Sequence, residues 1–233
     1  WPTLDYDIWS ILSFFGDFFS AGFYYKIFIW PRFAWKYIYE PFIRLSAGLG
    51  QPPKQNDGDT YEHFYAHTDV LIVGGGLAGL ELARALSSSG EKILLMEQLP
   101  YLGGRLLSDS VEIDGVESRD WVRDVSSELK KKSNVKVVVN TVVSGIYDHG
   151  YVVANETVSN HTEEGNIPRE RLWKIRAKKI VTATGAIERP LIFSGNDLPG
   201  VMLSSAARDF MCLYGVSVGD RNVIVTNNDN AYR

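Results

Sequence analysis

The sequence predicts a three-layer α/β domain with an inserted β-meander, preceded by an aromatic-rich N-terminal arm. Three observations lead to this prediction. A glycine-rich turn stands between an apolar strand and an amphipathic helix. A second apolar strand ends on an acidic residue, and short β segments then precede a strand that ends in glycine. These patterns divide the chain into an arm at residues 1–50, a linker at 51–66 and the α/β domain at 67–233.

Aromatic residues dominate the arm, which carries 17 of the 29 aromatic residues of the chain within positions 1–42. Charged residues and prolines, among them Asp17, Lys26 and Pro31, interrupt this stretch. No segment therefore reaches the roughly 18 apolar residues of a membrane-spanning helix. Two interpretations remain open, because the arm can pack on its own domain or dock on a partner subunit through aromatic anchors. The linker that follows is polar and rich in turn-forming residues.

Apolar strands and amphipathic helices alternate along the α/β domain. Predicted strands cover residues 69–73, 92–96, 135–139, 142–147, 151–154, 172–176, 179–184 and 222–226, and predicted helices cover 80–86 and 121–129. Residues 148–150 are predicted to turn a hairpin. Because a buried strand at 222–226 needs further elements around it, we expect the chain to be a fragment of a longer polypeptide.

The chemistry of the predicted site begins with Gly74, Gly76 and Gly79, which form the pattern G-x-G-x-x-G between strand and helix. The first glycine permits the tight turn, the second permits backbone approach to a pyrophosphate, and the third permits close packing of helix on strand. Glu97 ends the next strand, 18 residues after Gly79, where its carboxylate can accept hydrogen bonds from ribose hydroxyls. An acidic residue there disfavours a 2′-phosphate, so the motif predicts an unphosphorylated adenosine dinucleotide rather than NADP.

Two further segments resemble the second and third cofactor-contacting loops of the glutathione-reductase-like flavoproteins, which bind FAD or NAD(P) in a three-layer domain. They are residues 102–106, Leu-Gly-Gly-Arg-Leu, and residues 182–186, Thr-Ala-Thr-Gly-Ala. Small residues at strand ends permit a dinucleotide to approach the backbone, and the hairpin between the two loops resembles the inserted meander of these proteins. The predicted cofactor-binding residues are Val73, Gly74, Gly75, Gly76, Ala78, Gly79, Glu97, Gly103, Gly104, Arg105, Val143, Thr184 and Gly185.

Composition and missing motifs exclude several other functions. The net charge of −4 argues against a nucleic-acid partner. Cys212 is the only cysteine, so the chain has no internal disulfide, four-cysteine metal site or redox-active dithiol. The apolar neighbours of Cys212 predict that it is a buried structural thiol. The four histidines show no metal-ligand spacing and are expected at the surface or in a hairpin. Residues 227–232 lack a second glycine motif, which argues against a second nicotinamide site. The absence of targeting signals predicts a cytoplasmic protein.

The arm and several later segments resemble the α subunit of the heterotetrameric sarcosine oxidase family. The residues that carry this resemblance are Gly-Phe-Tyr-Tyr-Lys at 22–26, Trp-Pro at 30–31, Tyr-Glu-Pro at 39–41, Arg-Leu-Trp at 171–173, Ala-Thr-Gly-Ala-Ile-Glu-Arg-Pro at 183–190, Asn-Asp at 196–197, Pro-Gly-Val-Met at 199–202, and Asn-Asn-Asp with Ala-Tyr at 227–232. The resemblance covers most of the chain and is weakest at about residues 108–170.

This resemblance implies a subunit of an enzyme that demethylates sarcosine oxidatively to glycine and hydrogen peroxide and passes the one-carbon unit to tetrahydrofolate. It implies NAD in the glycine-motif site, flavins and tetrahydrofolate elsewhere in the complex, other subunits as partners, and an amine as substrate. No catalytic residue is assigned, because the amine-oxidising site is expected outside this chain. One alternative is the FAD-binding subunit of a related amine, opine or proline dehydrogenase, or of a cyanide-forming glycine oxidase. Another is a non-catalytic scaffold subunit with a structural dinucleotide.

Overall fold

The computed structural model describes residues 6–8, 10–11, 14, 16, 28, 30–48, 50, 53–159, 167–227 and 229. The chain divides into two compact units, residues 1–58 and 59–233. In the N-terminal unit, helix α1 (Arg32–Ala34) continues through a π-helical segment (Trp35–Tyr39) into helix α2 (Glu40–Ser46). Ala34 is buried, whereas most of the large apolar side chains of this helical stretch are exposed.

A six-stranded sheet forms the centre of the second unit, in the order β5–β2–β1–β8–β7–β6. Its strands are β1 (Tyr61–Val73), β2 (Ile93–Met96), β5 (Val135–Val138), β6 (Thr141–Tyr147), β7 (Tyr151–Thr157) and β8 (Glu170–Thr182). Strands β5, β2, β1 and β8 run parallel, and β8, β7 and β6 pair antiparallel. The sheet therefore combines a parallel half with an antiparallel meander, as predicted.

Three helices and a small hairpin accompany the sheet. They are α3 (Leu77–Leu86), α4 (Ser118–Lys130) and α5 (Ser204–Tyr214), with a 3₁₀ turn (Gly104–Leu107) and the two-stranded hairpin β3 (Glu112–Ile113) and β4 (Val116–Glu117) before α4. Glu117 caps α4 by accepting hydrogen bonds from the N–H groups of Arg119 and Asp120. The side chain of Leu203, the N-cap residue of α5, makes no capping hydrogen bond.

Alternate residues of the parallel strands point to two separate cores. On one face, Val70 and Ile72 of β1 pack with the buried faces of α3 and α4. On the other face, Leu71 and Val73 pack with buried residues of the meander, such as Trp173. Helices, parallel strands and meander thus form the three predicted layers, which bring the loops after β1, β2 and β8 together at the carboxyl ends of these strands.

Several local predictions are wrong, for identifiable reasons. Residues 172–176 and 179–184 do not form two strands, because Glu170–Thr182 is one strand that pairs with β1 along its length. Lys178 and Lys179, at the junction of the two predicted strands, lie within this strand and form ion pairs with Asp69 and Glu91. The predicted linker 51–66 ends earlier, since β1 begins at Tyr61.

The predicted strand at 222–226 and the predicted burial of Cys212 are also wrong. Residues 222–226 are irregular and pair with no strand within the described part of the chain, and Val223 is 90% exposed. Cys212 is exposed on α5, as are its neighbours Phe210 and Met211. In both cases the apolar sequence predicts burial, but burial also requires a partner surface. None of the helices in the described ranges is long and apolar enough to span a membrane.

Candidate functional site

The first glycine shapes the turn between β1 and α3. Gly74 has a φ of +107°, which side chains other than glycine rarely adopt. A Cβ atom on Gly74 would lie 2.8 Å from the carbonyl carbon of Ala183 and 3.2 Å from the Cα of Thr184. The N–H of Gly74 donates to the carbonyl oxygen of Met96 at 2.8 Å. Glycine is therefore required here by conformation and by the close approach of the loop after β8.

The third and second glycines face very different surroundings. A Cβ atom on Gly79 would lie 3.0 Å from the carbonyl carbon of Gly74 and closer still to its oxygen, so glycine lets α3 pack directly on the turn. A Cβ atom on Gly76 would meet no atom within 4 Å. The backbone at Gly76 is thus open on the side where the motif predicts a pyrophosphate.

The N-terminus of α3 adds the electrostatic part of the site. Gly76 is the N-cap residue, no side chain caps it, and the first turn contains no acidic residue. Leu77 and Ala78, the first two helical residues, are exposed. The unsatisfied N–H groups and the positive end of the helix dipole favour an anion at this point.

Glu97 follows the end of β2 and is only 6% exposed. Its Oε2 accepts a hydrogen bond from the N–H of Gly75 at 2.6 Å, and its Oε1 accepts one from the N–H of Leu99 at 2.9 Å. Because each carboxylate oxygen can accept two hydrogen bonds, Glu97 retains capacity for ribose hydroxyl donors. The same carboxylate therefore stabilises the glycine-rich turn and can still accept hydrogen bonds from a ribose.

The second predicted loop lies directly against the first. Gly103 has a φ of +117°, and its N–H donates to the carbonyl oxygen of Gly75 at 2.8 Å. A Cβ atom on Gly104 would lie 3.3 Å from the Cα of Gly76, so this loop borders the open side of the turn. The guanidinium of Arg105 donates to Asp109 at 3.2 Å and adds a positive charge beside the loop.

The third predicted loop is joined to β1 by a backbone hydrogen bond, in which the N–H of Ala183 donates to the carbonyl oxygen of Val73 at 2.7 Å. Thr184 packs close to Gly74, and Gly185 has a φ of +73° with open space around it. All three loops predicted from the sequence therefore meet at one edge of the parallel strands.

Val143, one of the predicted cofactor-binding residues, lies on β6. Its side chain is partly buried and packs against the core between the sheet and the meander. The preceding residue, Val142, is 52% exposed. Nearby, the N–H of Thr141 donates to the carbonyl oxygen of Glu97 at 2.8 Å, which places the start of β6 beside the end of β2.

Helix α5 supplies contacts that the sequence did not predict. Asp109 bridges the guanidinium groups of Arg105 and Arg208, each at 3.2 Å, and so connects the second loop to α5. Glu188, which follows the third loop, accepts hydrogen bonds from the first turn of α5. The run 183–190 contains Glu188, but no local pattern indicates that its partner lies 16 residues further along the chain.

A cavity of about 310 Å³ lies beside these contacts. Its walls are formed by Tyr101, Leu107, Arg119, Cys212, Leu213 and Tyr214. A hydrogen bond between the Tyr101 and Tyr214 hydroxyls raises the pKa of Tyr101 above its ordinary value. Arg119 donates to the carbonyl oxygens of Leu107 and Cys212, at 2.9 and 3.1 Å, which holds α5 against this segment.

Three of the four histidines lie within the described residues. His63, His67 and His149 are exposed, and His149 lies in the turn between β6 and β7 as expected, whereas His161 lies outside the described residues. Within the described ranges, no group of three or more His, Cys, Asp or Glu side chains could hold a metal ion.

The sequence matches the family model of pyridine nucleotide-disulphide oxidoreductases over residues 68–225. Sarcosine oxidase subunit alpha of Rhizobium meliloti (strain 1021) is 44% identical over 100% of this chain, which spans 24% of that subunit. Sarcosine oxidase subunit alpha of Corynebacterium sp. (strain U-96) is 39% identical over 81% of this chain and 20% of its own length. The chain thus spans about a quarter or less of these relatives.

A solved structure shares the fold. The crystal structure of L-proline dehydrogenase from P. horikoshii superposes with a TM-score of 0.54 and 28% identity, over 72% of this chain and 32% of its own chain. The family model begins at residue 68, within β1, and covers the glycine motif and the two later loops. By sequence and by fold, the chain belongs to the pyridine nucleotide-disulphide oxidoreductase family.

Proposed function

We propose that the chain is the dinucleotide-binding part of the α subunit of a multisubunit sarcosine oxidase. The observation that carries this proposal is the 44% identity to such a subunit over the full length of the chain. The reaction proposed for the whole enzyme is oxidative demethylation of sarcosine to glycine, with hydrogen peroxide as product and transfer of the one-carbon unit to tetrahydrofolate. A peroxide assay on the full complex tests this: sarcosine-dependent turnover supports it, and consumption of another amine without sarcosine turnover contradicts it.

The geometry of the loops fits a dinucleotide. The backbone at Gly76 is open, and the N–H groups at the start of α3 can receive the pyrophosphate. Glu97 can accept hydrogen bonds from the adenosine ribose, and its negative charge opposes a 2′-phosphate. Arg105 adds a cation at the border of the second loop. When bound, a nicotinamide or flavin dinucleotide supplies a centre that can accept a hydride or electrons, and these residues hold and orient it.

We propose NAD as the dinucleotide, with FAD as the second candidate. The structural similarity to L-proline dehydrogenase favours FAD and the related amine dehydrogenases. Mass spectrometry of the nucleotide released from the denatured full-length subunit distinguishes the two. Release of NAD supports the first candidate, and release of FAD would assign this domain to the path of electron transfer in a dehydrogenase.

We also propose that the aromatic arm, residues 1–50, docks on another subunit of the complex. Within its described helical residues, Phe33, Tyr37 and Leu45 are 67%, 70% and 72% exposed. Large apolar side chains at such exposure are typical of a surface that a partner covers. Replacing Phe33 and Tyr37 by Ala should release a partner subunit during size-exclusion chromatography of the complex. Full retention of all subunits in this variant would contradict the assignment.

A further inference from the structure

Glu188 lies three residues after Gly185, in the loop between β8 and α5, and its carboxylate accepts two hydrogen bonds from α5. Its Oε1 accepts a hydrogen bond from the hydroxyl of Ser204 at 2.7 Å, and its Oε2 accepts one from the N–H of Ser205 at 2.9 Å. Both partners are in the first turn of α5, whose own N-cap residue, Leu203, provides no capping side chain. Glu188 therefore caps α5 from 16 residues earlier in the sequence.

The same helix is connected to the second loop. The carboxylate of Asp109 bridges Arg105 and Arg208, and the carboxylate of Asp209 lies 4.0 Å from Arg105. Arg208 and Asp209 are residues of α5, so the helix contacts the second loop through charged side chains and the third loop through Glu188. The two loops thus share α5 as a common support, although 78 residues separate Gly185 from Leu107.

The electrostatic environment agrees with this arrangement. The hydrogen bonds from the backbone of Ser205 and the hydroxyl of Ser204 hold the pKa of Glu188 below its ordinary value, and the charge of Arg105 acts in the same direction. An ionised carboxylate at a helix N-terminus is also favoured by the helix dipole. Glu188 is thus an anion that α5 stabilises.

We propose that Glu188 is a positioning residue for the dinucleotide: by capping α5, it holds the third loop against Gly74 and at a fixed distance from the second loop. This inference rests on the proposed dinucleotide site. Glu188 itself contacts neither substrate nor cofactor in this assignment. Its effect reaches the dinucleotide through Thr184, whose Cα lies close to Gly74 at the turn where the pyrophosphate is expected.

The test uses the full-length subunit in its purified complex, with NAD and AMP as probes. In Glu188→Ala, NAD should dissociate about tenfold faster, because two hydrogen bonds to a charged acceptor are lost. The affinity for AMP should change less than about twofold, since AMP occupies the end of the site beside Glu97. Glu188→Gln can still accept the Ser205 N–H and should restore part of the NAD retention. Glu128→Ala, which removes a surface contact to Arg84, is the matched control.

Hydrogen exchange measured without nucleotide gives an independent readout. Glu188→Ala should increase exchange in peptides covering residues 183–190 and leave peptides covering α4 unchanged. If this variant fails to fold, Ser204→Ala, which removes one of the two hydrogen bonds, should show the same changes at smaller size. Unchanged exchange at 183–190, or equal weakening of NAD and AMP together with a lowered Tm, would overturn the proposal. If the wild-type protein binds no NAD, the proposed cofactor fails, and the exchange data alone decide the role of Glu188.

Discussion

Two alanine substitutions in the glycine motif should separate ligand binding from folding. In Gly79→Ala, the new Cβ would be forced against the carbonyl group of Gly74, 3.0 Å from its carbon and closer to its oxygen. Overpacking against backbone costs about 3 kcal/mol, and the better helix propensity of alanine offsets about 1 kcal/mol. We therefore expect the free energy of unfolding to fall by about 2 kcal/mol. In Gly76→Ala the Cβ enters open space, so the free energy of unfolding should change by less than about 1 kcal/mol.

Dinucleotide binding should be weakened in Gly76→Ala, the variant whose stability changes least. The Cβ in Gly76→Ala occupies the side from which a pyrophosphate approaches, so at least one charge-assisted hydrogen bond to the backbone should be lost. This loss corresponds to about 1.5 to 3 kcal/mol, or about 10- to 150-fold in affinity. Urea unfolding of both variants, combined with quantification of the nucleotide released on denaturation, measures the two effects. Wild-type nucleotide content in a stable Gly76→Ala protein would refute the assignment of the open side to the ligand.

Three further changes test other parts of the site and the core. Glu97→Gln should lower the dinucleotide affinity about tenfold and the free energy of unfolding by about 1 kcal/mol. The reason is that a neutral side chain is a weaker acceptor for the ribose hydroxyls and for its two backbone donors. Loss of subunit assembly without loss of turnover would instead favour a scaffold role. The lowered pKa of Glu188 means that its stabilising effect is complete above the ordinary pKa of a glutamate and declines as the pH falls through the folded-state pKa. Urea unfolding at pH 7 and pH 4 should therefore show a smaller difference between wild type and Glu188→Gln at the lower pH, and a constant difference would contradict this sign. Trp173→Phe removes the 2.6 Å hydrogen bond from Nε1 to the carboxylate of Glu156. The free energy of unfolding, measured by urea titration, should fall by about 1 to 2 kcal/mol. An unchanged unfolding midpoint would show that this hydrogen bond contributes nothing to stability.

The parts of this fold that were predictable from the sequence depend on contacts between near neighbours. Gly74, Gly76 and Gly79 lie within six residues, and the strand, turn and helix that they join are local patterns. The end of β2 at Glu97 follows from one apolar run. Because the carboxyl ends of parallel strands meet at one edge, the loops after β1, β2 and β8 could be brought together from their order alone.

The parts that failed depend on distant partners. Residues 170–182 form one strand because β1 provides a long edge to pair with, and charges at positions 178 and 179 are tolerated where Asp69 and Glu91 face them. The apolar neighbours of Cys212 predict its burial, but Cys212 is exposed, because a helix buries only the face that another element covers. The role of Glu188 required knowledge of which helix N-terminus lies beside it.

Hydrogen bonds and close packing within the protein hold the turn of the candidate site in place. Glu97 holds the N–H of Gly75, Gly103 donates to Gly75, and the loop after β8 packs against Gly74. All of these contacts are made by groups of the protein itself. The conformational entropy of the turn is therefore lost on folding, so binding of a dinucleotide needs little further ordering of the backbone. A turn held in this way suits long retention of a dinucleotide. This holds both for a dinucleotide that changes redox state and for one that only stabilises the subunit, because these two roles differ in the chemistry at the far end of the dinucleotide and not at this turn.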